Sequence, residues 1–291
     1  MVQSHRRAKL LLNASLRQMM KKLAYVLAAF VCLIATSPSY ARHRDPLGSS
    51  TEIVVVTTAD WNSPQGVLHR YERSNANKKW KAVGEPIAVM VGKSGLAWGS
   101  GIVAVGAPIS SASDPVKKEG DGRAPAGVFR LSKIFGYAPQ AQAGWKMPYL
   151  SLTSSVECVD DTASKFYNQV VDRSAVSPDW NSSEHMLRSD DLYHWGILVD
   201  HNAAPAVAGG GSCIFMHIWR GPGQPTVGCT AMPQAELESL IAWLDPARMP
   251  LLVQLPEAQY KSLRKRWHLP PMSHDVAGTT MQSGSKPVGK P

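Results

Sequence analysis

The sequence is poor in cysteine, in charge and in long apolar runs, and each shortage excludes something. Four cysteines occur in 291 residues and none forms a C-x-x-C pair. A thioredoxin-type exchange site is therefore disfavoured, and a zinc site lacks its usual tight ligand pair. The apolar run 23–35 has 13 residues, whereas a helix crossing a bilayer needs about 20. Charged residues make up 18% and hydrophobic residues 44%, which is too apolar for a disordered chain. The 23 glycines and 21 prolines follow no collagen-like period, and no internal repeat is present. What remains is a chain long enough for one large domain or two small ones, with a sizeable core.

The net charge of +9 points, taken whole, to an anionic partner. Its distribution changes that reading. Residues 1–41 hold six basic residues and no acid, and residues 257–291 hold six basic residues against Glu257 and Asp275. The body, 42–256, has 19 basic against 20 acidic residues, so nucleic-acid binding has little support. Lys21 and Lys22 precede the run 23–35, and Ser39, Tyr40 and Ala41 offer a small-x-small cleavage site. This arrangement predicts a signal peptide over 1–41, with Met19 or Met20 as an alternative start and an uncleaved anchor as the other reading. The mature chain is expected in the periplasm or cell envelope. Its tail, 257–291, reads as basic and largely disordered, able to contact anionic wall or membrane polymers. Export removes Cys32 and leaves Cys158, Cys213 and Cys229, an odd number. In an oxidising compartment that means one free thiol or an intermolecular bridge. Cys158 with Cys213 is one possible disulfide, which leaves Cys229 free, and the spacing does not fix the pairing.

Short segments rich in Val, Ile or aromatics, at 53–57, 87–91, 102–105, 127–131, 195–199, 213–219 and 251–255, are separated by Gly, Pro, Ser and Asn. That density predicts a mostly β domain, an antiparallel sandwich or barrel. Leu237, Leu240, Ile241 and Leu244 have helical spacing behind Pro233, and Asp245 and Pro246 stop the helix. A second helix is predicted over 160–171.

Candidate chemistry concentrates between Gly209 and Met232. As a strand, 213–219 directs Cys213, Phe215, His217 and Trp219 to one face and Ile214, Met216 and Ile218 to the core. A loop of Gly and Pro follows, then Thr226, Val227, Gly228 and Cys229. A loop that doubles back brings the His217 imidazole to the Cys229 thiol, which needs a base because a free thiol has a pKa of about 8.5. Gly228 permits a tight turn whose amides can face a developing oxyanion. Spacing alone leaves other readings open: packing and surface roles, or a zinc site from Cys213, His217 and Cys229.

These residues resemble a known family. His217 followed by Thr226, Val227, Gly228 and Cys229 is similar to the YkuD-type L,D-transpeptidase signature. Upstream, the segment 119–129, with Gly120, Asp121, Gly122, Arg123, Pro125, Ala126, Gly127 and Phe129, resembles that family's other motif. The resemblance spans roughly 52–256 and implies a β-sandwich with one or two short helices that handles peptidoglycan stem peptides without metal or organic cofactor. It implies Cys229 as nucleophile, His217 as general base and acid, and the Val227, Gly228 and Cys229 amides as oxyanion hole. Thr226, Arg220, Trp219 and Tyr193 are further candidates for substrate contact. An amine acceptor gives transpeptidation and water gives an L,D-carboxypeptidase or amidase outcome; a non-catalytic wall-binding module is the alternative class. Three positions depart from the family pattern: Val227 replaces a second His, Ala231 an Arg or Asn, and Ile218 a Gly. Asp160, Asp161, Asn168, Asp172 and Arg173 read either as a groove for the stem peptide or, more simply, as a solvated helix face.

Overall fold

The computed structural model describes residues 45–103, 110–142 and 144–272. The proposed signal peptide, residues 104–105 of one predicted strand, and the tail beyond 272 lie outside them.

Among the described residues, thirteen strands account for most of the regular structure. They are β1 (Glu52–Thr58), β2 (Gln65–Glu72), β3 (Lys81–Met90), β4 (Leu96–Trp98), β5 (Ala124–Gly136), β6 (Tyr149–Ser151) and β7 (Val156–Val159). Then follow β8 (Val170–Asp172), β9 (Ser183–His185), β10 (Trp195–Val199), β11 (Phe215–Ile218), β12 (Thr230–Met232) and β13 (Leu251–Pro256). The main sheet runs β10-β11-β12-β3-β2-β1-β13-β5-β4 and closes because β10 also pairs with β5. The length of β5 makes this possible. Its residues 127–130 pair with β13 and its residues 131–136 with β10. Closure leaves few open strand edges, and the mostly β architecture expected from the sequence is what forms.

Two helices follow the site. Helix α1 (Gln234–Trp243) buries Leu237, Leu240 and Ile241, as their spacing predicts, and Leu244 closes its end. Helix α2 (Glu257–Leu263) was not anticipated. Tyr260, Leu263, Trp267 and Leu269 all lie in the main core, so the ordered domain continues past Pro256 into the stretch expected to be a disordered tail. That core extends in sequence from Leu47 to Leu269.

A separate three-stranded sheet, β8-β7-β9, packs beside the main one. A disulfide between Cys158 on β7 and Cys213 ahead of β11 ties the two together. The helix expected over 160–171 does not form. Asp161 accepts hydrogen bonds from the Ala163 and Asn181 N–H groups, and Asn168 has a left-handed backbone (φ 62°), so turns replace the helix. Residues 102 and 103 are bends rather than strand.

The buried C-terminal residues generate a prediction. Trp267→Ala lowers stability by about 3–5 kcal/mol, read from the midpoint of denaturant unfolding. Truncation after Pro256 removes four core side chains and costs more. An unchanged midpoint in either variant contradicts this assignment.

Candidate active site

Strands β11 and β12 are parallel, with His217 opposite Ala231. The loop between them must therefore return to the start of β11, and this sets Cys229 beside Phe215. The Phe215 N–H donates to Cys229 Sγ at 3.3 Å, and the thiol donates to the Cys213 carbonyl at 3.6 Å. The strand's period of two divides its side chains as the sequence suggests. Ile214, Met216 and Ile218 enter the main core, whereas Phe215 joins a second apolar cluster that contains Cys229. Cys213 itself leaves the strand, with φ 55° and its sulfur in the disulfide. It cannot serve as a thiolate ligand, so the three-donor zinc reading fails. Cys229 is the free cysteine among the described residues.

His217 is buried, and its Nδ1 lies 2.7 Å from the Ile218 carbonyl. A carbonyl only accepts, so Nδ1 carries the proton and Nε2 is left with its lone pair. The Tyr193 ring and the imidazole pack edge to face, 5.2 Å between centroids. Burial depresses the His217 pKa to about 4, with Arg188 and Arg220 acting in the same direction. Burial likewise pushes the Cys229 thiol up to about 12, and the negative charge of Glu184 adds to the rise. At neutral pH the pair rests as thiol and neutral imidazole.

The turn before the thiol is held by its own residues. The Thr226 hydroxyl donates to the Cys229 carbonyl at 2.7 Å and accepts from the Gly228 N–H at 3.1 Å. Thr226 is thus committed to the turn, and so is one of the three amides expected in an oxyanion hole. The Val227 and Cys229 N–H groups have no acceptor among the described residues. Val227 is 77% exposed at the lip of the site.

The upstream motif lies directly beneath. Asp121 accepts hydrogen bonds from the Lys118 and Arg123 N–H groups (2.8 and 2.9 Å) and pairs with Lys117 Nζ (2.6 Å). The Arg123 guanidinium donates to the Trp61 and Leu96 carbonyls and to Asn62 Oδ1, all within 2.9 Å, so it is structural. Segment 91–94 joins the two turns. The Lys93 N–H donates to the Thr226 carbonyl and the Ser94 N–H to that of Gly122. A Cβ on Gly228 would stand 3.3 Å from the Arg123 carbonyl oxygen, so the turns touch backbone to backbone. Behind Cys229, the Thr230 hydroxyl donates to Gln254 Oε1, and Gln254 Nε2 donates to the Pro125 carbonyl, each at 2.8 Å. Gln254 is fully buried.

Above this platform lies a cavity of about 590 Å³. Cys229, His217, Val227, Gly228, Thr226, Arg220, Trp219 and Tyr193 all line it. Arg220 is exposed and has no ion-pair partner among the described residues. Of the five residues weighed as a groove, Asp160 alone lines the cavity. Asp172 caps a turn through the Ser174 N–H, Asn168 accepts from the Cys213 N–H, and Arg173 pairs with Glu157. The opposite wall escaped the sequence reading. Glu184 on β9 accepts from the Tyr193 hydroxyl at 2.6 Å, while Arg188 holds the Asp190 carboxylate through Nε and Nη2 (2.8 and 2.9 Å). Arg188 also lies over the Tyr193 ring, 5.1 Å from its centroid. Burial raises the Glu184 pKa. Glu184 and Arg188 carry no local motif, but Gln254 has one readable signal, a polar residue within the apolar run of β13.

The model of the YkuD family, the L,D-transpeptidase catalytic domain, matches residues 57–253. The chain belongs to this family. Neither a curated protein nor a solved structure matches the chain significantly. Both YkuD motifs fall inside the matched segment, but α2 and the core residues after it lie outside it.

The buried YkuD thiol has a measurable consequence. Its alkylation by iodoacetamide in the ligand-free protein should rise about tenfold per pH unit from 7 to 10, because the fraction ionised grows in proportion. Glu184→Gln should speed the reaction severalfold at a fixed pH by removing a like charge. A plateau reached near pH 7 contradicts the neutral resting pair.

Proposed function

We propose that the protein is an exported, cysteine-dependent peptidoglycan L,D-transpeptidase. The family acts on peptidoglycan stem peptides. The observation that carries the reading is that the free thiol of Cys229 and the imidazole of His217, with its lone pair at Nε2, open onto one cavity.

In this reading Cys229 Sγ attacks the carbonyl carbon of the L-to-D amide bond in a donor tetrapeptide. The thiol proton first turns away from the Cys213 carbonyl and passes to His217 Nε2. Imidazolium formed there keeps its Nδ1–H bond to Ile218, so the ring need not reorient. The Val227 and Cys229 amides face the oxyanion, and collapse expels the D-amino acid, whose amine takes the proton from Nε2. The thioester on Cys229 is then attacked by an amine of a second stem peptide, whose proton passes to His217 Nε2; collapse breaks the C–S bond, and the Cys229 thiolate takes that proton back. Burial suits both steps, because fixed dipoles act strongly where water is excluded. A signal peptide over 1–41 would deliver this chemistry to the envelope, where stem peptides are found.

The products decide between transfer and hydrolysis. Incubated with tetrapeptide muropeptides, the protein should yield cross-linked dimers and free D-amino acid, detected by mass spectrometry. Tripeptide monomers alone would overturn the transferase assignment in favour of a carboxypeptidase. Cys229→Ala should lose activity by ~10³-fold or more, and retention of function would support a binding module instead.

A further inference from the structure

Basic residues from two distant stretches of sequence converge on one concavity of about 710 Å³, which shares no lining residue with the cavity at Cys229. The first stretch is the turn between β2 and β3. From Arg73 to Lys81 it holds four basic residues and no acid. The second is α2 and the residues after it, which bring Lys261, Arg264, Lys265 and Arg266 against Glu257, with Asp275 further on.

The scaffold of the concavity is held by hydrogen bonds and one stacked pair. Arg73 is buried and donates to the Ser50, Ala76 and Gly48 carbonyls at 2.8 to 2.9 Å. Its guanidinium stacks on Trp80, 4.2 Å from the ring centroid, and Trp80 Nε1 donates to the His268 carbonyl at 3.0 Å. One indole therefore fixes the two basic stretches against each other. The acid on the wall, Asp45, is taken by His268 at 3.0 Å. Lys78, Lys79 and Lys265 line the concavity, are exposed, and have no ion-pair partner among the described residues. Outside the two chain ends, the sequence carries almost no net charge, so this cluster stands out against a neutral body.

The position of the cluster along the chain indicates what it faces. Asp45 lines the concavity, and only residues 36–44 separate it from the apolar run 23–35. Nine residues reach at most about 30 Å. Along the chain, Asp45 therefore lies within about 30 Å of that run. The partly exposed indole of Trp80 is also of the type that settles at a membrane interface.

We propose that this face is a docking site for anionic lipid headgroups, whose phosphates are held by Lys78, Lys79 and Lys265 with Arg264 beside them. The site is independent of the chemistry at Cys229. It narrows the expected role of the basic tail to a surface built jointly with the β2–β3 turn.

The test uses residues 42–291, which contain the whole core from Leu47 to Leu269. The protein is sedimented with vesicles of phosphatidylglycerol and phosphatidylcholine, with phosphatidylcholine vesicles, and with lipid-free peptidoglycan sacculi. The wild type should bind the anionic vesicles selectively and release them as salt is raised. Each lysine near an anionic surface contributes about fivefold, so Lys78→Gln with Lys79→Gln and Lys265→Gln should lose about 10²-fold in binding. Lys118→Gln with Lys133→Gln, remote from the concavity, should bind as the wild type does. Unselective binding, wild-type affinity in the triple variant, or capture by sacculi without capture by anionic vesicles would each overturn the proposal.

Discussion

The Arg123 carbonyl oxygen lies 3.3 Å from where a Cβ at position 228 would be. The turn carrying Cys229 packs backbone to backbone on the turn carrying Asp121 at glycine 228, where a Cβ would make a tight contact. Much of the site depends on this contact. The lower turn is braced by the carboxylate of Asp121 and the guanidinium of Arg123, and the upper one by the Thr226 hydroxyl. Segment 91–94 stitches the two together through backbone bonds. Gln254 then links the residue after the nucleophile candidate to Pro125 in the lower turn. Two motifs about a hundred residues apart thus form one backbone platform.

On that platform the thiol is sheltered rather than activated. Burial favours the neutral forms of both Cys229 and His217, and Glu184 opposes the thiolate further. Such a pair has little background reactivity. In the proposed reaction, ionisation would be driven where charge develops, by the Nδ1–H bond to Ile218 and by free amides, not by a standing ion pair. The disulfide between Cys158 and Cys213 serves the same arrangement from the other side. It holds the small sheet that carries Glu184 against the segment whose carbonyl accepts the thiol proton.

Much of the fold was legible because burial repeats in the sequence. Segment 195–199 is apolar throughout and 251–255 is apolar but for Gln254; they form β10 and nearly all of β13, and the spacing from Leu237 to Leu244 forms α1. β2 was hidden because its face is mostly polar, with His69, Arg70 and Glu72 among its eight residues. The helix expected over 160–171 lost to turn chemistry at Asp161 and Asn168. Helix α2 was obscured by charge: Tyr260, Leu263 and Trp267 have helical spacing, but the lysines and arginines among them suggested a solvated tail. At the site, Cys229 and His217 were readable from local motifs and from the period of one strand. Glu184, Arg188 and Gln254 reach it from elements far away in sequence, and only the sheet pairing brings them there.

The central claim is that Cys229 becomes acylated by a stem peptide. Intact-protein mass spectrometry after rapid mixing with a tetrapeptide muropeptide tests it most directly. The account predicts a transient adduct on Cys229 with the mass of the donor less its terminal D-amino acid, labile to hydroxylamine and absent in Cys229→Ala. Turnover of the tetrapeptide with no adduct on Cys229, or with an undiminished rate in Cys229→Ala, would contradict it.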